Sequence, residues 1–341
     1  MKKTHIYSNV TVFAGVAELV DAMDSKSIVR KDVRVRVSPS AHLMKSKIIG
    51  IVGPTASGKS DLAVKLARKF NCEIVSADSR QVYKGLNVGT GKITEKEMQG
   101  VCHYLLDVAN PKKKLTVTQF KKLGERAIRN IEKKNKLPII CGGTGFYVDT
   151  LLRGAEFPEV PPNPALRKKL EKLSTRELFN MLKKLDLRRS SEIDKSNPRR
   201  LTRAIEISTK LGKVPTIKNI ETRYDILWIG IKPKKEILKK RIHARLLSRL
   251  RQGMIEEAKR LRKDGVSFKR MEELGLEYKY LSYFLQNKID LKEFETSLEK
   301  EIYKYAKRQM TWFKRYKDII WFDSSTGTNK MKIENTVKNF I

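Results

Sequence analysis

Short apolar segments alternate with amphipathic segments along most of this chain. The apolar segments are typical of buried strands and occupy residues 48–52, 73–76, 137–141, 226–231 and 319–322. Between the first three, apolar positions recur at helical spacing over residues 59–70 and 116–134. Because buried strands that alternate with helices form parallel sheets, the pattern predicts an α/β fold with helices on both faces of one sheet.

Two long stretches lack strand patterns and are predicted to be helical. The first covers residues 165–212 and follows a stiff connector that carries four prolines between residues 158 and 164. The second is strongly basic and covers residues 233–317. We therefore divide the chain into an N-terminal extension (1–43), the first part of the core (44–160), a helical insertion (161–220), the completion of the core with basic helices (221–325) and a tail (326–341).

The charge of the chain indicates a polyanionic partner. Lysine and arginine total 73 residues against 38 aspartates and glutamates, which gives a formal net charge of +35 and an isoelectric point near 10. Such an excess repels itself on a compact surface unless a polyanion or counterions neutralise it. RNA or DNA is therefore the expected partner, and a proteome rich in lysine throughout is the alternative explanation.

Residues 1–43 differ from the rest because they show neither a sustained helical period nor a clean strand alternation. Two parts of this segment, residues 14–23 and 34–41, resemble the translation of a transfer RNA gene. We therefore expect a wrongly assigned or disordered extension upstream of a true start at Met44. A basic arm that contacts RNA is the alternative.

The cysteines and the hydropathy exclude several other classes of protein. Cys72, Cys102 and Cys141 form no CxxC pair, so neither a structural zinc site nor a disulfide framework is predicted. The sequence has no apolar run long enough to cross a membrane, and the apolar stretch near its start is short and broken by Glu18 and Asp21. We expect a cytoplasmic protein without a membrane partner.

A phosphate-binding loop follows the first predicted strand directly. Residues 53–60 read GPTASGKS and lie between the apolar run 48–52 and a helical pattern. In this context the glycines let the backbone curl around a phosphate chain, Lys59 adds a positive charge and the Ser60 hydroxyl can bind Mg²⁺. The predicted fold class is therefore a P-loop NTPase-like parallel sheet with a helical insertion domain, and a chance glycine turn is the alternative.

Two more polar segments follow predicted strands. Residues 77–83, ADSRQVY, come after the second strand, and residues 142–147, GGTGFY, come after the third. Ligands of such sheets bind outside the carboxyl ends of the strands, so Asp78 is expected to face the phosphate loop. An aspartate there can bind Mg²⁺, take a proton or cap the next turn, and capping is the alternative to a chemical role.

These motifs together resemble the tRNA dimethylallyltransferases, also called tRNA isopentenyltransferases. The resemblance extends from about Met44 to about Asp323. It is carried by GPTASGKS at 53–60, DSRQVY at 78–83, GGTGFY at 142–147, PRRLTRAIEI at 198–207 and KRQMTWFK at 307–314. The sequence departs from the family pattern at Glu277, where the family usually has a glycine before the tyrosine.

The resemblance implies an enzyme that moves a dimethylallyl group from its pyrophosphate to the N6 amine of the adenosine on the 3′ side of a tRNA anticodon. The expected catalytic residues are Asp78 as the base, with Lys59 and Thr55 stabilising the departing pyrophosphate. Mg²⁺ is expected at Ser60. The expected residues for the pyrophosphate donor are Gly53, Pro54, Thr55, Ala56, Ser57, Gly58, Lys59, Ser60 and Arg241.

The same resemblance implies that a monomer binds the tRNA anticodon stem-loop, whose target adenosine must leave its stack to react. The expected tRNA-binding residues are Asp78, Ser79, Arg80, Gln81, Thr144, Arg167, Arg199, Arg200, Leu201, Thr202, Arg203, Lys307, Arg308 and Gln309. Arg241, Arg245 and Arg249 share one helical face. The resemblance places the first two near the pyrophosphate, and the alternative is that all three are solvated or touch only RNA.

Two other functions are compatible with a phosphate loop. A kinase of a nucleotide or small molecule would use ATP in the same loop, but it leaves the arginine cluster at 199–203 and the net charge unexplained. A GTPase-like switch that binds RNA would need a guanine-reading Asn-Lys-x-Asp segment at the end of a strand. Residues 287–290 read NKID, but they lie in the stretch 233–317, which is predicted to be helical.

Overall fold

The strands of this chain pair into one parallel sheet. A computed structural model describes residues 45–154, 158–216, 222–325 and 329–341, so the predicted extension over residues 1–43 lies outside the described residues. The strands are β1 (Ser46–Val52), β2 (Cys72–Ser76), β3 (His103–Tyr104), β4 (Leu137–Gly142), β5 (Tyr224–Ile231) and β6 (Ile320–Phe322). Their order is β3–β2–β4–β1–β5–β6 and every pairing is parallel, which confirms the predicted fold class.

Helices cover both faces of this sheet. The first half of the chain contributes α1 (Lys59–Lys69), α2 (Glu95–Met98), α3 (Val117–Glu132) and α4 (Gly145–Leu152). The insertion forms α5 (Pro164–Leu170), α6 (Thr175–Leu185), α7 (Leu187–Glu192) and α8 (Pro198–Leu211). The second half contributes α9 (Lys235–Arg251), α10 (Met254–Lys263), α11 (Phe268–Leu274), α12 (Leu276–Leu285), α13 (Leu291–Phe313) and α14 (Asn329–Phe340).

Two short or terminal elements differ from the expected pattern. β3 is not among the predicted strands, because its two half-buried residues carry no apolar run that would mark a strand. The last residues, expected only as a tail, form α14, which buries Ile333 and Val337 four positions apart against the sheet. No helix within the described ranges is long and apolar enough to cross a membrane.

The core has one layer on each face of the sheet, because successive strand residues point to opposite sides. Ile48 and Val52 of β1 belong to the larger layer, which includes buried residues of α3, α4 and α9 to α13. Ile49 and Ile51 belong to the other layer, which α1 and α14 cover. The insertion has a separate small core, in which Leu182 packs with apolar residues of α5, α6 and α8.

Helix α13 connects the far side of the larger layer with the carboxyl ends of the strands. It has 23 residues and is therefore about 35 Å long. Its buried residues form one stripe: Phe294, Leu298, Ile302, Ala306, Gln309 and Phe313. At its C-terminal end the helix packs against glycines, and a Cβ on Gly145 would overlap the ring of Trp312. This close approach brings α13 up to the loops that follow β1 and β4.

The stripe on α13 offers a matched pair of substitutions. Leu298 is fully buried, whereas Leu291 on the same helix is half exposed. We expect Leu298→Ala to lower the free energy of unfolding by about 2–5 kcal/mol, because it removes buried methyl groups and leaves a cavity. Leu291→Ala should change it by less than about 0.5 kcal/mol. Chemical denaturation of both variants measures the difference, and equal losses would show that Leu298 is not a core residue.

Candidate active site

The phosphate loop lies between β1 and α1, and two glycines shape it. Gly53 and Gly58 have φ angles of +155° and +88°, which residues with a Cβ rarely adopt. A Cβ on Gly53 would also lie 2.5 Å from the carbonyl oxygen of Ile231. Because α1 begins at Lys59, the free N–H groups of its first turn and its dipole face the loop. The loop has the geometry of an anion site.

The Lys59 side chain stays within the loop in this structure. Its Nζ donates a hydrogen bond to the carbonyl oxygen of Pro54 at 3.1 Å. Burial lowers the pKa of Lys59 below its ordinary value, and nearby Cys141 and Asp78 oppose part of this shift. Ser60 is exposed one residue further along and lines the same cleft. A bound phosphate would therefore meet a partly desolvated ammonium and an exposed hydroxyl.

Gln309 of α13 holds the phosphate loop to the loop that follows β4. Its Oε1 accepts from the backbone N–H of Thr55 at 2.8 Å, and its Nε2 donates to the carbonyl oxygen of Gly143 at 2.8 Å. The side chain is 5% exposed. The sequence predicted Gln309 to contact tRNA, but the spacing of the buried stripe turns this position inward. The residue contacts both glycine loops and also lines the cleft.

Arg241 supports the phosphate loop from α9. Its Nη1 donates to the carbonyl oxygen of Ser57 at 3.3 Å and to the Ser324 hydroxyl at 3.1 Å. The Ser324 hydroxyl donates to the same carbonyl oxygen at 3.0 Å. Arg245 and Arg249 likewise bond to backbone carbonyls. The alternative that all three arginines are solvated or touch only RNA is therefore wrong.

Asp78 lies in the cleft beside the phosphate loop, as the order of the strands predicts. Its Oδ1 accepts from the backbone N–H groups of Arg80 at 2.8 Å and Gln81 at 3.3 Å, so it does cap the turn after β2. In the described part of the chain its other carboxyl oxygen has no hydrogen-bond donor within reach. Capping therefore uses one oxygen and leaves the second for chemistry.

Thr144 joins the two strand ends at this edge of the sheet. Its hydroxyl accepts from the Ser79 backbone N–H at 3.1 Å and donates to the Ser79 hydroxyl at 3.3 Å. Arg80 and Gln81 both line the cleft, and Gln81 also donates to the carbonyl oxygen of Gly91 at 3.3 Å. The residues predicted after β2 and β4 are thus brought together.

The cleft also has an apolar wall that the sequence motifs did not reveal. Its apolar lining residues include Ala63, Ile93, Leu106, Leu276 and Ile302. Tyr305 lies beside them, and burial together with the charge of Asp78 raises the pKa of its phenol to about 12. In the sequence, Ile302 and Tyr305 are marked only by their helical spacing from Gln309. The loop residues Ile93 and Leu106 belong to no motif.

Several arginines of the insertion are bound within the protein. Glu206 is 2% exposed and accepts from Arg167 Nε and Nη2 at 2.7 Å each, and from Arg203 Nη1 at 3.3 Å. Arg203 also donates to the carbonyl oxygen of Val160 at 2.8 Å. These two residues, expected to contact tRNA, therefore join α5 and the proline-rich connector to α8. Their side chains remain about one third exposed.

The other residues expected to contact tRNA differ in exposure. Arg199 and Arg200 are exposed at the start of α8, as are Lys307 and Arg308 on α13. Thr202 is half-buried. The prediction that Leu201 contacts tRNA is wrong. Its side chain is fully buried in the core of the insertion, where the helical period of α8 places it. Its side chain contacts protein and not RNA.

The fold and the cleft define a P-loop protein whose cleft combines an anion site, a carboxylate and an apolar wall. Similarity to known proteins identifies the family within this class. The family model described as IPP transferase matches residues 81–316. The chain therefore belongs to the IPP transferase family.

Curated relatives and solved structures agree with this family. The chain is 37% identical to a tRNA dimethylallyltransferase of Anoxybacillus flavithermus over 87% of this chain and 97% of the relative. It is 43% identical to tRNA dimethylallyltransferase 2 of Treponema denticola over 80% of this chain and 92% of the relative. A tRNA isopentenylpyrophosphate transferase from Bacillus halodurans superposes with a TM-score of 0.66 at 32% identity and covers 87% of this chain and 97% of its own.

A eukaryotic dimethylallyltransferase that was crystallised while acting on tRNA superposes with a TM-score of 0.73 at 25% identity. It covers 86% of this chain and 77% of its own.

The buried Glu206 predicts how the insertion responds to acid. Burial raises its pKa, but hydrogen bonds from Arg167, Asn163 and Arg203 outweigh burial, so the pKa lies below its ordinary value. A carboxylate with a lowered pKa stabilises the fold above the pKa of the unfolded chain, and this stability is lost as the pH falls through the folded pKa. We expect thermal stability to decrease below about pH 4.3 for this reason.

Glu206→Gln tests this expectation. At neutral pH the variant should lose about 3 kcal/mol of stability, because two arginines lose their shared buried partner. On acidification, the stability of Glu206→Gln should decrease by less than the stability of the parent protein. Glu192→Gln is the matched control, since Glu192 pairs with Arg188 on the surface and should cost less than about 1 kcal/mol. Thermal melts between pH 7 and pH 3 give both quantities, and parallel curves for parent and Glu206→Gln would contradict the role of this carboxylate.

Proposed function

We propose that this chain transfers a dimethylallyl group from dimethylallyl pyrophosphate to N6 of the adenosine on the 3′ side of a tRNA anticodon, with release of pyrophosphate. The observation that carries this proposal is the composition of one cleft. An anion loop, a carboxylate with one free oxygen and an apolar wall line it together. These three surfaces match a pyrophosphate, an amine that must lose a proton and a five-carbon allylic group.

The anion loop suits the departing pyrophosphate. Cleavage of the allylic C–O bond leaves positive charge on a delocalised carbon centre and negative charge on the pyrophosphate. Preorganised N–H groups and cations that face this anion lower the barrier. Lys59 and the N–H groups at the start of α1 lie where they can do this, and Arg245 lines the cleft beside them. Thr55 presents its side chain in the same cleft, whereas its backbone N–H is already bonded to Gln309.

The donors at this loop also fit Mg²⁺, which prefers oxygen ligands and keeps waters and phosphates in its shell. Ser60 and Asp78 supply a hydroxyl and a carboxylate in one cleft. In the described ranges no group of three or more His, Cys, Asp or Glu could hold a metal ion, so the phosphates themselves would complete the shell. When bound, Mg²⁺ would neutralise charge on the leaving pyrophosphate.

Asp78 suits the role of general base. The adenine amine becomes acidic only as the new C–N bond forms, so a carboxylate must be in place to accept its proton. The turn after β2 fixes Asp78 through its Oδ1 and leaves its other oxygen free. Ile302 and Tyr305 line the opposite wall, where an apolar group is shielded from water.

Exposed basic side chains on two helices suit the RNA substrate. Arg199 and Arg200 on α8 and Lys307 and Arg308 on α13 are exposed and available for phosphate contacts. The target adenosine would have to leave its stack, as in other enzymes that act on a nucleic acid base. The three cysteines are unpaired, which suits a reducing cytoplasm, where we expect the chain to act as a monomer.

The alternative of a P-loop kinase is less well supported. A kinase shares the loop but needs no exposed basic surface and no apolar wall beside its carboxylate. The matched family and the named relatives are also not kinases.

A prenyl-transfer assay tests the proposal. Purified protein with Mg²⁺, dimethylallyl pyrophosphate and a tRNA that carries adenosine next to the anticodon should release pyrophosphate and yield N6-dimethylallyl adenosine by mass spectrometry. Asp78→Asn keeps an oxygen that can cap the turn but removes the base, so kcat should fall about 10²–10⁴-fold with little change in the KM for the donor.

Asp264→Asn changes an exposed carboxylate at the end of α10 and should keep the parental rate. Phosphate transfer from ATP without prenyl transfer would overturn the proposed function. Equal losses of kcat and donor affinity in Asp78→Asn would instead assign Asp78 to donor or metal binding.

A further inference from the structure

The loop that follows the turn after β2 forms one wall of the cleft and is held by a buried carboxylate. Glu257 of α10 is 3% exposed. It accepts from the backbone N–H groups of Asn87, Val88 and Gly89 at 2.9, 2.7 and 3.0 Å. The Tyr278 hydroxyl donates to the same carboxylate at 2.7 Å. Four neutral donors therefore hold Glu257, and in the described part of the chain it forms no ion pair.

The carbonyls of this wall loop bind two arginines of α9. Arg249 donates from Nη1 to Gly89 at 3.3 Å and from Nη2 to Thr90 at 3.1 Å. Arg245 donates from Nη2 to Gly91 at 3.0 Å. A Cβ on Gly91 would overlap both guanidinium groups, so the two like charges lie against the same backbone atom. Such an arrangement is costly unless an anion lies close by.

Glu277 at the start of α12 is the anion that this pair has. Its Oε1 lies 3.1 Å from Arg249 Nη1, and the two side chains are 10% and 8% exposed. Within the described residues no other carboxylate lies within 4 Å of Arg249. The Nε of Arg249 is buried and has no hydrogen-bond partner in the same part of the chain. Within the described residues, Glu277 is therefore the only carboxylate that forms an ion pair with Arg249.

Glu277 also lines the cleft, together with Lys59, Arg245 and Asp78. Burial and the charge of Arg249 lower the pKa of Arg245 to about 10, and Glu277 and Asp78 oppose this shift. A pyrophosphate that enters the cleft brings a second anion to the same cations. Glu277 and the ligand would then compete for the positive charge of the two arginines.

We propose that Glu277 is a resident counter-ion that stabilises Arg249 when the cleft is empty and weakens the hold of the cleft on pyrophosphate. It acts through Arg249 and is a positioning residue, not a catalytic one. The inference rests on the proposed use of a pyrophosphate donor. This role explains why a carboxylate lies in a cleft for anions. Weaker binding of pyrophosphate favours its release as the product.

Binding of inorganic pyrophosphate in the presence of Mg²⁺ tests this inference without the prenyl-transfer reaction. Glu277→Gln keeps the size of the side chain and an oxygen for Arg249, but removes the charge. We expect calorimetry to show about fivefold tighter binding of pyrophosphate, because one nearby negative charge is lost. Glu277→Asp keeps the charge and should bind pyrophosphate like the parent.

The matched control is Glu273→Gln. Glu273 pairs with Arg270 at 3.3 Å on the neighbouring helix α11, is half exposed and does not line the cleft. It should leave pyrophosphate affinity unchanged. Thermal melts add a second readout. Glu277→Gln should melt below the parent without ligand, and saturating pyrophosphate should raise its melting temperature more than that of the parent.

Each outcome decides the question. Parental or weaker pyrophosphate binding by Glu277→Gln would overturn the inference and leave the proposed function intact. A parent that binds no pyrophosphate at millimolar concentration would overturn the pyrophosphate donor and this inference together. If Glu277→Gln does not fold, Arg249→Gln is the complementary variant. It leaves Glu277 without its partner in the cleft and should weaken pyrophosphate binding about fivefold, and unchanged or tighter binding would overturn the inference.

Discussion

The site depends on how closely α13 approaches two glycine loops. Gln309 donates to one loop and accepts from the other, and only glycine leaves room for this at position 143. The same helix buries Phe294 and Leu298 in the larger core layer, so the position of the phosphate loop is tied to the packing of the whole domain. A buried amide with both partners in place fixes geometry well, because each lost bond leaves an unsatisfied group.

Buried charge is the second constraint on this molecule. A cleft that binds a polyanion needs cations, but cations next to one another in a protein interior are unstable without anions. In this protein, buried carboxylates pair with these cations at two places. Glu206 neutralises Arg167 and Arg203 in the insertion, and Glu277 neutralises Arg249 beside the cleft. Glu206 is not among the residues that line the cleft, whereas Glu277 lines it together with Arg245.

Much of this arrangement is readable from the sequence where local rules decide it. The strands at 48–52 and 137–141, the phosphate loop and the position of Asp78 follow from hydrophobic period, glycine spacing and strand order. Other features depend on tertiary contacts that no local pattern encodes. β3 has only two residues, and the bonds of Glu257 to a loop 168 to 170 positions away in sequence leave no local mark.

Two residues show that membership of a motif does not by itself identify a substrate contact. Gln309 and Leu201 belong to segments that resemble those of a tRNA-modifying family, yet both side chains are buried. A motif can persist because it holds the site together, and exposure separates such residues from those that touch substrate. Glu277 shows the converse, since a departure from the pattern proves to lie in the cleft itself.

The most direct measurement is a structure of this protein with Mg²⁺, a non-reactive thio analogue of dimethylallyl pyrophosphate and a tRNA anticodon stem-loop. We expect the pyrophosphate on the loop at Lys59, the allylic group against Ile302, and an unstacked adenosine whose N6 lies within hydrogen-bonding distance of Asp78. An adenosine that stays stacked in its loop, or an N6 that meets a carboxylate other than Asp78, would contradict the assignment of this cleft.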